Sequence, residues 1–87
     1  MNTYKLKISS PDGHLFDGEA VGLYLRGADG ELAVLAGHIP FITSVQPCTC
    51  KVVLDDDTIK EATTKGGLLC VSKEGVTLLS SSFEWKE

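Results

Sequence analysis

Apolar and polar residues alternate with a period of two along most of this chain. Near its start, Tyr4, Leu6 and Ile8 alternate with lysines and a serine, and the same alternation returns from Val21 to Leu25. Such alternation puts every second side chain on one face, which is typical of a half-buried strand and not of a helix. Both segments are therefore predicted to be strands.

Five further segments are short, rich in β-branched residues and separated by residues that favour turns. They are residues 42–45, 48–54, 58–64, 68–72 and 76–80. With the first two, they give seven or eight short strands and no convincing helical pattern. Strands at such regular spacing predict an all-β fold, in which two antiparallel sheets pack face to face as a β-sandwich.

Three short polar segments predict turns between these strands. Residues 11–13 combine a proline that presets φ, an aspartate and a glycine. The three aspartates at residues 55–57 would repel one another inside a sheet, so they predict a solvated hairpin end, and they lack the spacing of a calcium-binding loop. Glu74 and Gly75, between two apolar runs, predict a tight hairpin that joins the last two strands.

Only the tail beyond Ser80 departs from this pattern. Ser81 and Glu84 have the spacing of a capping box, in which the two side chains satisfy the first free amides of a helix. A helix could therefore start here, although little of the sequence follows. We expect one β-sandwich domain over residues 1–81 and a short tail over residues 82–87.

Length and composition fit one domain. The chain has 87 residues, of which 43% are hydrophobic and 23% charged, and no apolar run approaches the roughly 18 residues that would span a bilayer. Its first residues alternate charged with apolar side chains, so we expect neither a signal peptide nor a transit peptide. The net charge of -4 would repel a phosphate backbone, so nucleic acid is not expected as a partner.

The three cysteines are expected to be free thiols, because their number is odd and no secretory signal precedes them. Cys48 and Cys50 lie two apart on a predicted strand, so they face the same side and are expected to pack in the core. A zinc site would need a second pair at ligand spacing, which Cys70 with His14 and His38 does not provide. No metal site is therefore predicted.

One segment carries the most informative combination of side chains. Gly30 and Glu31 open a short apolar strand, which is followed by Gly37, His38 and Pro40. This order and spacing resemble the signature of the epsilon subunit of rotary F-type ATP synthases, in which a Gly-Glu pair, a short apolar strand, a Pro-Gly-His turn and a second proline follow one another. Further pieces that are similar to the family, in matching order, are residues 10–13, 15–19, 45–47 and 66–71.

Three residues depart from the family's pattern. Ala36 stands where the family usually has proline, Ala33 where it often has glycine, and Lys65 where a small residue normally precedes two glycines. None of them removes a side chain to which the resemblance assigns a contact. The resemblance ends near Ser80, before the family's C-terminal helical hairpin, so neither an inhibitory arm nor an ATP site is expected.

The resemblance implies a fold and a function. The family's domain is a ten-stranded β-sandwich, so about 8–10 short strands and no C-terminal helical hairpin are expected. The implied function is that of a noncatalytic rotor part, which contacts the gamma subunit, rests on the c-ring of a proton- or sodium-translocating enzyme and needs no cofactor. The implied location is peripheral to the bacterial cell membrane, on its cytoplasmic side.

The resemblance also assigns roles to individual residues. Glu31 matches the acidic residue that faces the c-ring loops, where charge-assisted hydrogen bonds would fix register more than they add affinity. His38 matches the histidine near the gamma subunit. Without the family, Glu31 would be interpreted as a solvated carboxylate, and His38 is interpreted equally well as a turn imidazole bonded to a carbonyl. Gly30, Gly37 and Pro40 are expected to shape the loop, since glycine permits positive φ and proline keeps the preceding residue extended.

Two other functions are tested by the same sequence. A free-standing sandwich that binds a small ligand or serves as an adapter would gather aromatic side chains on one exposed face, whereas the six aromatic residues are scattered along the chain. Thiol redox chemistry would use Cys48 and Cys50, whose separation on a strand lies near the upper limit for a disulfide. Catalysis is not expected, because the sequence has no Gly-x-x-x-x-Gly-Lys loop and no nucleophile beside a plausible base.

Overall fold

The computed structural model describes residues 3–11, 13–37 and 39–86. Over these residues the chain forms ten strands: β1 (Tyr4–Ser10), β2 (Gly13–Ala20), β3 (Gly22–Gly27), β4 (Gly30–Leu35), β5 (Phe41–Val45), β6 (Cys48–Val53), β7 (Ile59–Thr64), β8 (Gly67–Val71), β9 (Val76–Ser80) and β10 (Phe83–Trp85). The described residues form no helix, and hence none that could cross a membrane. The all-β prediction is confirmed.

The strands form one continuous sheet that folds over into two five-stranded halves. Sheet I has the order β4-β3-β6-β7-β10, and sheet II has the order β5-β8-β9-β1-β2. The halves join where Gly27 of β3 pairs with Val45 of β5. All strand pairs in the described residues are antiparallel except β1 with β9. The predicted β-sandwich is confirmed, and the strand count is at the upper end of the expected range.

The core lies between the two sheets. On β1, Tyr4, Leu6 and Ile8 are buried whereas Lys5 and Lys7 are exposed, as the alternation predicts. The largest fully buried side chains come from both sheets: Leu6, Ile8, Leu23, Leu69, Leu78, Val34, Val52 and Cys50. Because side chains alternate between faces, a slip of one residue in any of these strands would turn its apolar set towards solvent.

Two of the three predicted turns are formed by described residues. The aspartates between β6 and β7 are exposed, and the Thr58 amide donates to the Asp56 carboxylate at 3.0 Å. Hydrogen bonds from Thr58 lower the pKa of Asp56. The hairpin between β8 and β9 closes where the Ser72 amide donates to the Gly75 carbonyl at 2.9 Å. The third turn includes Asp12, which lies outside the described residues.

The tail forms a strand where the capping-box pattern indicated a helix start. Residues 81–82 bend, and β10 then pairs antiparallel with β7, with Phe83 opposite Thr64. The Ser81 hydroxyl donates to the Gly66 carbonyl at 3.3 Å, so it does not cap a helix. The helix start is therefore wrong, because strand pairing and the burial of Phe83 outweigh a local capping preference.

Three aromatic rings close the sandwich between β2 and β10. The Trp85 ring lies 5.1 Å from Phe83 and 6.1 Å from Phe16 between ring centroids, and its indole N–H donates to the Leu15 carbonyl at 3.3 Å. Lys60 Nζ lies 4.8 Å from the centre of the Trp85 ring. The expectation of scattered aromatics is wrong for these three residues, because the fold brings distant segments together. Trp85 meets Phe83 edge to face and Phe16 at a tilt, and a lysine lies over its ring, which gives the cluster a structural role.

A buried hydroxyl pair fixes the bend between β7 and β8. Thr64 and Ser80 are the two buried polar side chains among the described residues, and their hydroxyl oxygens lie 2.6 Å apart. Both oxygens lie 3.3 Å from the Gly66 carbonyl oxygen. Buried hydroxyls are tolerated when they are hydrogen-bonded, so this cluster stabilises the bend where β7, β8 and β9 meet.

Two buried weak acids should make the domain sensitive to alkali. Tyr4 donates its phenol hydrogen to the Val34 carbonyl at 2.7 Å, and burial, with a smaller contribution from Tyr24, raises the pKa of Tyr4. Burial and the neighbouring Cys48 thiol raise the pKa of Cys50 to about 12 from its ordinary value of 9.0. Both side chains must therefore stay protonated while the protein is folded.

We expect Tyr4 and Cys50 to leave the free energy of unfolding unchanged below their ordinary pKa values and to lower it above them. A raised folded-state pKa means that the unfolded chain loses the proton first, so each group lowers stability by up to about 1.4 kcal/mol per pH unit between its two pKa values. Urea unfolding between about pH 8 and about pH 11 measures the slope. Tyr4→Phe should reduce the fall in stability at the upper end of this pH range, whereas Tyr24→Phe, at an exposed tyrosine, should not. A stability that stays level across this range would contradict the prediction.

Candidate functional site

A tight hairpin between β3 and β4 presents Glu31. Gly27 pairs with Gly30 across the turn, and Gly30 has a φ of 123°, a value that favours glycine. The next pair along the hairpin places Glu31 directly opposite Arg26, and both side chains are exposed. An acidic and a basic side chain therefore stand together beside the tip of the hairpin.

Glu31 also borders an open groove of about 620 Å³ on the outer side of sheet I. Tyr24, Arg26 and Lys51 line the same groove, and all three are exposed. Exposed charges of both signs around a shallow groove suit recognition of a polar surface, because charged groups across an interface fix register and select partners. The geometry of this groove supports binding more than catalysis.

The connection from β5 to β6 braces the hairpin tip. The backbone amide of Gln46 donates to the Arg26 carbonyl at 2.9 Å, and its side-chain amide donates to the Ala28 carbonyl at 3.2 Å. The Ala28 amide in turn donates a long hydrogen bond to the Thr43 hydroxyl oxygen, at 3.5 Å. The turn that precedes Glu31 is thus held from the neighbouring sheet as well as by its own hairpin.

The loop from β4 to β5 carries the other residues of the signature. Gly37 has a φ of 85°, and Pro40 is exposed beside Ile39, which is 80% exposed. His38 lies outside the described residues. The roles of Gly30, Gly37 and Pro40 in shaping the loop stay predictions, and the positive φ values of the two glycines favour them.

An apolar face on the outer side of sheet II was not found by the sequence patterns. It is formed by Ile42, Leu68 and Leu79, which are 70%, 40% and 46% exposed. Leu68 and Leu79 are direct partners on β8 and β9, and Ile42 lies on the adjacent rung opposite Cys70. Contiguous exposed apolar side chains are typical of interaction sites. We call this set the apolar face.

A shallow groove extends the apolar face towards β1. It has a volume of about 420 Å³, and Pro11 lines it together with Ser9, Ser10, Leu68 and Leu79. The sequence held a signal for this face, because Leu68 and Leu79 each stand beside another leucine. In a strand, one member of an apolar pair must point away from the core.

The cysteines show the packing that their spacing predicts. Cys50 is buried, Cys48 and Cys70 are half-buried, and all three are free thiols. The Arg26 amide lies 3.4 Å from Cys48 Sγ. Since the pKa of Cys50 is raised, this thiol is a poor nucleophile, which argues against redox chemistry. The described residues contain no group of three side chains that could hold a metal ion.

Comparison with protein families and curated sequences gives one consistent result. The family model described as "ATP synthase, Delta/Epsilon chain, beta-sandwich domain" matches residues 3–86. The chain is 35% identical over 85 residues to the sodium-ion-specific ATP synthase epsilon chain of Acetobacterium woodii, covering 98% of this chain and 64% of that one. It is also 35% identical over 85 residues to the epsilon chain of Clostridium novyi, covering 98% and 65%. The chain thus spans less than two thirds of the length of these relatives.

Solved structures show the same fold at lower identity. A chain of the Euglena gracilis mitochondrial ATP synthase, in a complex described as OSCP/F1/c-ring, superposes with a TM-score of 0.89 at 20% identity and covers 95% of this chain and 53% of that one. A chain of the central stalk and c-ring of the Tetrahymena thermophila enzyme gives a TM-score of 0.78 at 11% identity, covering 94% and 66%. At these identities the likeness concerns the fold.

Proposed function

This chain belongs to the ATP synthase delta/epsilon chain family through its β-sandwich domain, and from that membership we propose that it is a noncatalytic central-stalk subunit. In this role it links the gamma subunit to the membrane c-ring during rotation-coupled ATP synthesis. The ATP-forming chemistry belongs to other subunits of the complex. The similar proteins of Acetobacterium woodii and Clostridium novyi are both named as ATP synthase epsilon chains.

The apolar face is the observation that carries this proposal. Ile42, Leu68 and Leu79 stay exposed, whereas Leu69 and Leu78 on two of the same strands are buried in the core. A domain whose task is to dock needs such a face, because removal of apolar surface from water is the main favourable term in stable association. We assign the apolar face to the gamma subunit, with His38 as a further contact in the loop that precedes β5.

The hairpin of β3 and β4 is assigned to the c-ring. Its tip carries Glu31 beside Arg26, so it offers both an acceptor and a donor to a polar loop. Such contacts would set the register between the domain and the ring, while the apolar face supplies more of the affinity. Separate surfaces for two partners are what a linking subunit requires.

The same proposal gives the location of the subunit in the cell. The subunit would be peripheral to the bacterial cell membrane, on its cytoplasmic side, and held there through the complex. No cofactor is required for this role. The division of the chain into a domain and a tail at residue 81 stays a prediction. In the structure, the residues after it form β10, which pairs with β7.

The ring contact can be tested with an isosteric substitution. We expect Glu31→Gln to weaken binding to the c-ring, in the presence of the gamma subunit of the same organism, by about tenfold, because a charge-assisted hydrogen bond contributes more than a neutral one. Titration of labelled protein into the gamma subunit and c-ring in detergent, followed by fluorescence anisotropy, gives the affinity.

The matched control is Glu74→Gln, which removes the same charge from a different exposed turn. It should bind as the wild type does. Equal affinities of the wild type and Glu31→Gln for the ring would remove Glu31 from the contact. Failure of the wild type to bind either partner would contradict the proposed role as a whole.

A further inference from the structure

We infer that Gln46 is a positioning residue, which holds the hairpin tip so that Glu31 is presented in one fixed place. The inference rests on the proposed contact between Glu31 and the c-ring. Gln46 lies in the connection between β5 and β6, fifteen positions away along the chain from Glu31, and reaches the tip through two hydrogen bonds. Both bonds go to backbone carbonyls, of Arg26 and Ala28, and no hydrogen bond joins Gln46 to the Glu31 side chain among the described residues.

The hairpin tip has little support of its own. Among the described strands, β4 pairs with β3 alone, so the hairpin is attached to the rest of sheet I along one side. Residues 28–29 at its tip are exposed. A two-residue turn of this kind opens easily unless its free carbonyls find donors, because exposed backbone hydrogen bonds are the first to break.

The Gln46 side chain supplies such a donor. Its Nε2 atom donates to the Ala28 carbonyl at 3.2 Å, while its backbone amide donates to the Arg26 carbonyl at 2.9 Å. The two acceptors lie on either side of Gly27, where β3 turns from sheet I towards sheet II. One residue therefore fixes both the end of β3 and the first residue of the turn.

Rigidity of the tip matters for recognition by a carboxylate. A hydrogen-bonding side chain on a mobile turn loses conformational entropy when it binds, and an ordered turn avoids that loss. Gln46 is exposed, so its side chain contributes little to the stability of the sandwich. Its side-chain hydrogen bond is better explained by the geometry of the tip than by the fold.

The test uses Gln46→Met, which keeps the length of the side chain and removes its hydrogen-bond donor. We expect Gln46→Met to weaken binding to the c-ring and gamma subunit by about fivefold, the value of one neutral hydrogen bond. Gln46→Lys, whose ammonium can still donate to the Ala28 carbonyl, should restore affinity to within about twofold of the wild type. Both variants should keep the wild-type melting temperature.

A double substitution separates positioning from a direct contact. In the Glu31→Gln background, Gln46→Met should cause no further loss of ring affinity, because the carboxylate that Gln46 is inferred to position is no longer there. In Gln46→Met, the loss of ring affinity should be accompanied by faster hydrogen exchange of the Ala28 and Gly30 amides, which NMR measures on the free protein. Binding unchanged in Gln46→Met, or a loss of equal size in both backgrounds, would overturn the inference while leaving the ring contact standing. A silent Glu31→Gln would instead overturn the ring contact.

Discussion

Replacing Gly67 by alanine should lower the free energy of unfolding by about 3 kcal/mol or more, which is a large part of the total for a domain of this size. A Cβ atom on Gly67 would overlap the Leu79 carbonyl oxygen and lie 2.9 Å from the Ser80 Cα. Both atoms belong to the backbone of β9, which is the direct partner of β8 at this point. Backbone atoms cannot rotate away as side chains can, so the two strands would have to separate.

Gly18→Ala is the matched control for this substitution. Gly18 also lies within a strand, but an added Cβ would meet only the Phe16 ring, at an ordinary contact distance of 3.5 Å. We expect its stability to stay within about 0.5 kcal/mol of the wild type. Urea unfolding followed by the fluorescence of Trp85 measures both variants. Equal stability of Gly67→Ala and Gly18→Ala would show that β8 and β9 can part without loss.

The sandwich could be predicted from the sequence because its strands have one buried face each. From Tyr4 to Ile8, the residues of β1 alternate strictly, and the buried set in the structure is the apolar set in the sequence. The turns were equally visible, since prolines, glycines and clustered aspartates disfavour regular pairing. Periodicity and turn chemistry are local properties, so one sequence is enough to show them.

Strands β2 and β10 could not be predicted from alternation. The burial pattern of β2 is irregular and only its last residue, Ala20, is fully buried, so it lacks a clear period. β10 has three residues, and its Ser81 and Glu84 pattern favours a different structure locally. Both strands depend on partners far away in the chain, and Trp85 shows this directly by its contacts with Phe16 and Leu15.

Some features of the candidate site could likewise be predicted from the sequence, and others could not. Glu31 was identified through the resemblance, because nothing in its own neighbourhood distinguishes it from a solvated carboxylate. The role inferred for Gln46 needs three dimensions, since its hydrogen-bond partner Ala28 is eighteen positions away in sequence. The apolar face lies between these cases, because its leucine pairs are visible in the sequence but its contiguity depends on the register of β8 and β9.

Polar replacement of the apolar face should reduce affinity for the gamma subunit by about 100-fold. The triple variant Ile42→Thr, Leu68→Thr and Leu79→Thr keeps residues that favour strands but removes most of the apolar surface that docking would bury. If each substitution costs about 1 kcal/mol of binding, their sum of about 3 kcal/mol corresponds to roughly a hundredfold loss of affinity or slightly more. Since all three side chains are substantially exposed, the melting temperature should change little. Isothermal titration with purified gamma subunit measures the affinity.

Ile59→Thr is the control that shows whether the loss of affinity for the gamma subunit is specific to the apolar face or common to any exposed apolar side chain. Ile59 is 58% exposed, as much as members of the apolar face, but it lies on β7 in sheet I. If sheet II is the docking side, Ile59→Thr binds the gamma subunit as the wild type does while the triple variant fails. The opposite result, with Ile59→Thr weakened and the triple variant intact, would move the gamma contact to sheet I. It would then share that sheet with the proposed ring contact at Glu31, and the two partners would no longer have separate surfaces.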